Sequence, residues 1–479
     1  MKKYGHYQTV DEQWCNELPD HWRFLRLKRI FQERKERNNP IKTDSILSLT
    51  AKQGVIPYTE KIGAGGNKPK DDLSKYNIAK SGDLLINCMN VVSGAAGVSR
   101  WDGAISPVYY ALYPRNEDVN VWYYHYLFRL LPFQRSLLGL GKGILMHESD
   151  EGVLTTVRMR ISMDYLGNVM LPLPSRDEQD QIVHYLNWQT KIFSQVNRIK
   201  QGQIKLLKEQ RKAVIDEGIL HGFRSDNYKV SDVFGLDKVP STWEVLPLKR
   251  ICKVNASITS VINKLADTEL VTFLPMENVS TTGDIDCSIK RPLSTVRIGY
   301  SSFAKNDVVV AKITPCFENG KGACLENLDT EIGFGTTEFI NLRPSNRVLP
   351  RYLYMITMTQ PFRKFGEEIM TGSAGQKRIS ADYIKNFVIG IPDIKEQEQI
   401  LSEIEQKLKK IDTLIKIEEE NINILHELRT RTVLNVISGQ IDVRNRIIPV
   451  PNISSDERDD DFDGIIDVNE DDTDANMEV

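Results

Sequence analysis

Near the end of the chain Ile404, Leu408, Ile411, Ile415, Ile422 and Leu425 recur at steps of four and three, with Glu418 in the missing slot. Such a seam predicts a long helix whose single apolar stripe must be covered by a partner helix. A looser stripe, Ile182, Leu186, Phe193, Val196, Leu207 and Val214, predicts a second such helix, interrupted by Gly202, a residue that costs about 1 kcal/mol against Ala inside a helix. Each stripe is preceded by a short apolar run closed by proline, Val169–Pro174 and Phe387–Pro392, and then by Ser175-x-x-Glu178 or Asp393-x-x-Glu396. That spacing is a capping box, in which two side chains satisfy the orphan N–H groups of a helix start. Each stripe ends at a glycine, His221-Gly222 or Ser438-Gly439, as the C′ position favours. About 45 helical residues extend roughly 65 Å.

Upstream of each helix the pattern changes. Short β-branched or alternating runs, Ile46–Thr50, Asp83–Ile86 and Val108–Tyr113, lie between Gly-, Asn- and Ser-rich segments and predict strands. Val119–Leu138 has helical spacing. The plan returns in the second half, with strands at Val271–Leu274, Asp307–Ile313 and Glu338–Leu342 and a helix over Arg351–Phe365.

The chain is an internal duplication. Arg160–Ile182 shifted by 218 positions falls on Arg378–Ile400 with 11 of 23 residues identical, among them Arg160/Arg378, Ser162/Ser380, Asp164/Asp382, Tyr165/Tyr383, Pro174/Pro392 and Glu178/Glu396. Chance at average composition gives about one or two matches. A second signature opens each half: Tyr7, Pro19, Trp22 and Leu27–Ile30 recur as Tyr228, Pro240, Trp243 and Leu248–Ile251. The tryptophans are expected in the core. Between these anchors the halves diverge, so two similar frames carry different loops, where recognition residues concentrate. The expected segments are a first domain over 1–174, a long helix over 175–222, a second domain over 223–392, a second helix over 393–440 and an acidic tail over 441–479. Antiparallel pairing of the helices covers both stripes and makes a pseudo-twofold molecule with two unlike heads at a set spacing. Such a molecule suits a split DNA site, as half-site spacing in dimeric readers follows protein geometry.

Charge sharpens this picture. The 479 residues carry a net charge of −3, but residues 456–479 hold twelve Asp/Glu and one Arg, leaving +8 on the rest. A mildly basic body permits nucleic-acid binding. Lys52, Lys68, Lys70, Lys142, Arg158, Arg160, Lys312, Lys321, Gln376, Lys377 and Arg378 sit in or beside Gly/Ser/Asn-rich segments and are the candidate DNA contacts, since lysine and arginine anchor phosphates while Arg, Asn and Gln read bases. No apolar run approaches the ~18 residues of a membrane span, and the N-terminus has no signal-peptide pattern, so a cytoplasmic protein is expected. The six cysteines form no C-x-x-C pair, which argues against a disulfide framework or a zinc site.

These residues resemble the specificity subunit of type I restriction–modification enzymes. The resemblance rests on the Tyr…Pro-x-x-Trp opening, on Pro-x-x-x-Glu-Gln-x-Gln-Ile at both helix starts, and on the ends Arg211…Gly222 and Arg429…Gly439-Gln-Ile-Asp-Val-Arg. It covers about residues 7 to 444. It implies an α/β (α+β) fold of two target recognition domains joined by an antiparallel coiled coil. It also implies DNA recognition of a bipartite site, docking of two methyltransferase (modification) subunits on the helices, and association with restriction (translocase/nuclease) subunits. S-adenosylmethionine, ATP and Mg²⁺ are then used by those partners, and this chain is non-catalytic with no cofactor of its own. One departure stands out: Arg211 precedes its glycine by eleven residues and Arg429 by ten.

Enzyme signals are otherwise missing. There is no P-loop and no H-x-x-x-H pair. Pro392-Asp393 with Glu405-x-Lys407 imitates a Mg²⁺ nuclease pattern, yet Glu405 and Lys407 point about 200° apart on a helix. A free-standing nuclease is therefore the rival reading, and a protein-only coiled-coil adaptor is the other. In the tail, Asp459, Asp461, Asp463, Asp467 and Glu470 with Gly464 match the EF-hand calcium loop. Its proline-rich and acidic flanks favour a disordered tail over a weak calcium site.

Overall fold

The computed structural model describes residues 2–50, 54–61, 72–141, 146–148, 154–156, 160–224, 227–233, 235–373 and 375–449. The chain divides into two compact units, one of residues 1–200 with the chain from Glu420 onward, the other Gln201–Glu419. Each unit therefore holds one head, the beginning of one long helix and the end of the other, whereas the sequence suggested consecutive segments.

Both heads are built on one four-stranded antiparallel sheet. In the first unit its order is Phe31–Glu33, Tyr109–Pro114, Leu84–Asn87, Ala96–Val98; in the second it is Cys252–Val254, Phe339–Pro344, Val308–Ala311, Gly322–Cys324. The register is the same in both copies, with Leu84 opposite Leu112 and Val308 opposite Leu342. The second head adds another four-stranded sheet, ordered Lys290–Pro292, Leu270–Leu274, Ile332–Gly335, Ser301–Ala304, where the first has two-stranded pieces. The central strands are buried at every position, which is why their sequences read as apolar runs.

Three sequence expectations need correcting. Val119–Leu138 is not one helix but two, Val121–Phe128 and Leu131–Ser136, and Arg351–Phe365 likewise splits into Pro350–Met358 and Gln360–Ile369. The break falls at Leu130 (ψ 124°) and Thr359 (ψ 146°), each two residues before a proline. Proline suits the first turn of the second helix but disfavours continuation from the first. The apolar period runs straight through the break. The tail also starts later than residue 441: Ile441 and Val443 are buried in the first core, and the Asp442 N–H donates to the Lys2 carbonyl at 2.9 Å.

The long helices run Arg176–Asp216 and Ile394–Ile437. In the first unit Ile182 and Leu186 share a core with Val433, Val436 and Ile437. In the second, Ile215 and Ile219 share one with Ile400, Ile404 and Leu408. Within each unit the beginning of one helix thus packs against the end of the other, an antiparallel pairing. The seam residues are inward: Ile182, Leu186, Phe193, Ile404, Leu408 and Ile411 are buried, and Val196, Leu207, Ile415, Ile422 and Leu425 are half-buried. Arg211 Nε meets Asp412 Oδ1 at 3.1 Å across the pair.

The extra residue between Arg211 and its glycine is taken up locally. Glu217–His221 forms a π turn, which holds one residue more than an α turn. Both helices then end alike, with Gly222 at φ +67° and Gly439 at φ +69°, a conformation only glycine adopts freely. Each glycine lies under a Pro-x-x-Trp loop. A Cβ on Gly439 would sit 2.4 Å from Pro19 Cδ and 3.0 Å from Trp22, and one on Gly222 would sit 3.1 Å from Trp243. The Tyr7 hydroxyl donates to the Gly439 carbonyl at 3.0 Å and the Tyr228 hydroxyl to that of His221 at 3.3 Å. Trp22 and Trp243 are buried.

Candidate nucleic-acid interface

The helix starts anchor each head. The capping boxes form by half: Glu396 N–H donates to Asp393 Oδ1 at 2.8 Å and Glu178 N–H to Ser175 Oγ at 3.4 Å. The glutamate side chains do not reach back. Glu178 accepts from the Tyr4 hydroxyl at 2.6 Å and lies 3.0 Å from His21 Nε2, while Glu396 accepts from Trp243 Nε1 at 2.9 Å. The next residue of the motif, Gln179 or Gln397, is fully buried. Gln179 accepts from Asn120 N–H at 2.8 Å and donates to the Pro174 carbonyl at 2.9 Å. Gln397 does the same with Leu349 N–H at 2.9 Å and the Pro392 carbonyl at 3.0 Å. The duplicated Glu-Gln is therefore a hinge pin between head and helix.

The loop edge of the second head follows from its topology. Leu270–Leu274 and Ile332–Gly335 are parallel and end together beside the start of Ser301–Ala304. Ala311, the end of its strand, lies opposite Phe339, the start of another. The loops 275–289, 297–300, 312–321 and 336–338 consequently crowd one edge. Thr371 and Arg378 join them through bridges of Arg378 to Ile313 and to Thr371. Here five of the sequence candidates come together. Thr314 N–H donates to the Lys377 carbonyl at 3.0 Å, Lys377 N–H to Thr314 Oγ1 at 3.1 Å, and Ile379 N–H to the Lys312 carbonyl at 2.9 Å.

Their side chains differ in use. Lys321 Nζ is spent on the Met276 carbonyl at 2.9 Å, closing two of the loops. Arg378 is paired with Glu338, which no sequence pattern linked to it and which lies 40 positions away. That hydrogen-bonded guanidinium, with Lys312 nearby, holds the Glu338 carboxyl below its ordinary value. Gln376 and Lys377 are exposed, and Lys312 is half-buried.

In the first head only Arg160 of the candidates falls among the described residues; Lys52, Lys68, Lys70, Lys142 and Arg158 lie outside them, as does the calcium-loop pattern of Asp459, Asp461, Asp463, Asp467 and Glu470. Its frame matches that of Arg378. Ile161 N–H donates to the Cys88 carbonyl at 2.9 Å, and Cys88 N–H to that of Val108 at 3.0 Å, as Ile379 does to Lys312 and Lys312 to Glu338. The side chains at the same places are thus Arg160, Cys88 and Val108, against Arg378, Lys312 and Glu338. Arg160 is exposed, and the Cys88 thiol, with Tyr110, raises its pKa above the ordinary value.

The residues of the nuclease pattern are dispersed. Asp393 caps the helix, Glu405 pairs with Arg351, and Lys407 meets Glu403 at 3.0 Å while lying 3.6 Å from the Phe223 ring centroid. No helix among the described residues is long and apolar enough to cross a membrane. Flanking the seam on one side, the second long helix exposes Leu414, Ile417, Ile424 and Leu428, a second stripe at heptad spacing.

Two similar heads, each pinned to a long helix, with a loop edge in the second head carrying lysine, arginine and glutamine side chains, define a duplicated two-headed fold. Residues 240–426 match the family of type I restriction modification DNA specificity domains, and the common register puts the first head in the same fold. The type I EcoAI specificity subunit of Escherichia coli is 35% identical over 211 residues, which are 43% of this chain and 34% of that one; the chain thus spans about a third of that relative's length. The type I MjaVIII specificity subunit of Methanocaldococcus jannaschii is 20% identical over 458 residues, 89% of this chain and 95% of that one. A solved chain from work on complex assembly and conformational transition of the type I R-M system covers 88% of this chain and 99% of its own at TM-score 0.62 and 14% identity. The resemblance to type I specificity subunits drawn from the sequence stands.

Proposed function

We propose that this chain is the DNA sequence-recognition subunit of a type I restriction–modification complex, reading one half of a bipartite site with each head. One observation carries the reading: two heads of identical sheet register present unlike side chains around a shared arginine at the same places of the same edge, Lys312 and Glu338 beside Arg378 in one and Cys88 and Val108 beside Arg160 in the other. A frame kept constant while its loops vary suits two different half-sites. Lysines approach phosphates and fix position, after which loop side chains reach base edges. The exposed stripe of the second long helix favours docking of modification subunits, with restriction subunits completing the assembly. S-adenosylmethionine, ATP and Mg²⁺ then belong to those partners, and the complex works in the cytoplasm. The ion pairs that occupy Glu405 and Lys407 disfavour the nuclease reading.

Mapping methylated positions in a host with and without this gene tests the proposal. A two-part motif with an unread gap should be lost on deletion; an unchanged methylation pattern would refute it. Replacing Lys377 and Arg378 together by Ala should weaken DNA binding and make its dependence on salt shallower by about one to two counterions.

A further inference from the structure

At the loop edge of the second head, Arg378 is fixed twice over. Its N–H donates to the Thr371 carbonyl at 2.8 Å and its own carbonyl accepts from Thr371 N–H at 3.2 Å. Its guanidinium grips Glu338 side-on, Nε to Oε2 at 3.0 Å and Nη2 to Oε1 at 2.9 Å, and Nη1 reaches the Gln376 carbonyl at 3.3 Å. Of five N–H groups this leaves one on each terminal nitrogen, and the side chain is still 43% exposed. With its charge answered by Glu338, the arginine is a poor phosphate anchor, because a phosphate drawn to it also meets a carboxylate. A rigid pair of donors with little net charge suits a neutral acceptor pair instead. On duplex DNA that pair is O6 and N7 of guanine in the major groove.

We infer that Arg378 reads a guanine in the half-site of the second head and that Glu338 is the positioning residue that aims it. This rests on the DNA-recognition reading above. Among the described residues the first head lacks the device: Val108 stands in place of Glu338, and Arg160 lies beside Cys88 and Tyr110 instead, an arrangement that suits a phosphate.

The full chain, alone and co-purified with its modification subunits, is given randomised duplex DNA to define both half-sites. Each base of the site is then varied and binding is measured across salt concentrations. The wild type should discriminate roughly 10- to 100-fold for guanine at one position. Arg378→Lys keeps the charge but loses the fork, and should reduce that discrimination to a few-fold while other positions are unchanged. Glu338→Gln should do the same and, by removing the negative charge that answers Arg378, bind non-specific duplex more tightly with a salt slope steeper by about one. A merely structural pair would not produce tighter binding with poorer choice. Lys377→Ala should weaken all sequences alike. A half-site without guanine, or an Arg378→Lys chain that discriminates as the wild type does, would overturn the inference. A wild-type chain that binds no DNA even with its partners would instead sink the broader reading.

Discussion

The two heads keep a buried carboxylate at the start of their central strand but draw its counter-charge from different places. Asp83 is held by Arg34, Nε to Oδ2 at 2.7 Å and Nη2 to Oδ1 at 2.9 Å, with the guanidinium 4.8 Å from the Tyr113 ring centroid. Asp307 is held by Arg343 at 2.8 Å through both nitrogens. By register Arg34 corresponds to Asn255, and Arg343 to Tyr113: Arg34 N–H donates to the Ala111 carbonyl as Asn255 N–H does to that of Asn341. The arginine has changed strands while the contact stayed. Arg34→Asn should strand a buried charge and cost about 3 kcal/mol, read as a lower urea midpoint. Adding Tyr113→Arg, which copies the second head, should recover at least half of it. Such pairs are hard to find in one sequence, as is Glu338 beside Arg378, since their partners are set by sheet register. The repeat marked Arg160, Arg378 and the Glu-Gln pair as shared, but it did not say that Gln179 and Gln397 reach back to main-chain groups 59 and 48 residues away.

At the scale of elements, long periodic segments were the most legible. A heptad seam persists over many turns and has no rival explanation, so both long helices were evident from spacing alone. The paired short helices were not, because the apolar period ignores the turn at Leu130 and Thr359, where the prolines two residues on lack the N–H that would continue the first helix. The slip between Arg211 and Gly222 was visible but its outcome was not: the chain keeps the glycine under Trp243 and places the surplus residue in a π turn. Gly202 offers a plain test of the helix. No atom lies within 4 Å of where its Cβ would stand, so Gly202→Ala should stabilise the protein by about 1 kcal/mol, raising its unfolding midpoint. Gly218 is the opposite case, with Ile404 and Phe223 each 2.9 Å from such an atom, and Gly218→Ala should lower the midpoint.

On the scale of the whole molecule, duplication and charge pointed to a two-headed reader. The composition of the first unit was not legible, because it depends on the final stretch of helix returning to residues 2–22. Tyr7 and Trp22 hold Gly439, Trp243 covers Gly222 while Tyr228 holds the His221 carbonyl before it, and Asp442 is hydrogen-bonded to Lys2. Joining residue 446 to residue 2 through a short linker, and opening the chain between Phe223 and Tyr228, should therefore give a folded protein with wild-type DNA affinity. Aggregation of that permuted chain, or loss of its cooperative melting, would count against the clasp.

The discontinuity of the first unit also bears on how the protein is made. Gln201–Glu419 is one unbroken stretch, so everything its core requires has left the ribosome before the chain is finished. The head encoded first must wait with Trp22, Tyr123 and Ile182 uncovered until Val433, Val436 and Ile437 emerge. The half translated second is thus free to mature first, and the nascent N-terminal half is the one in need of shelter.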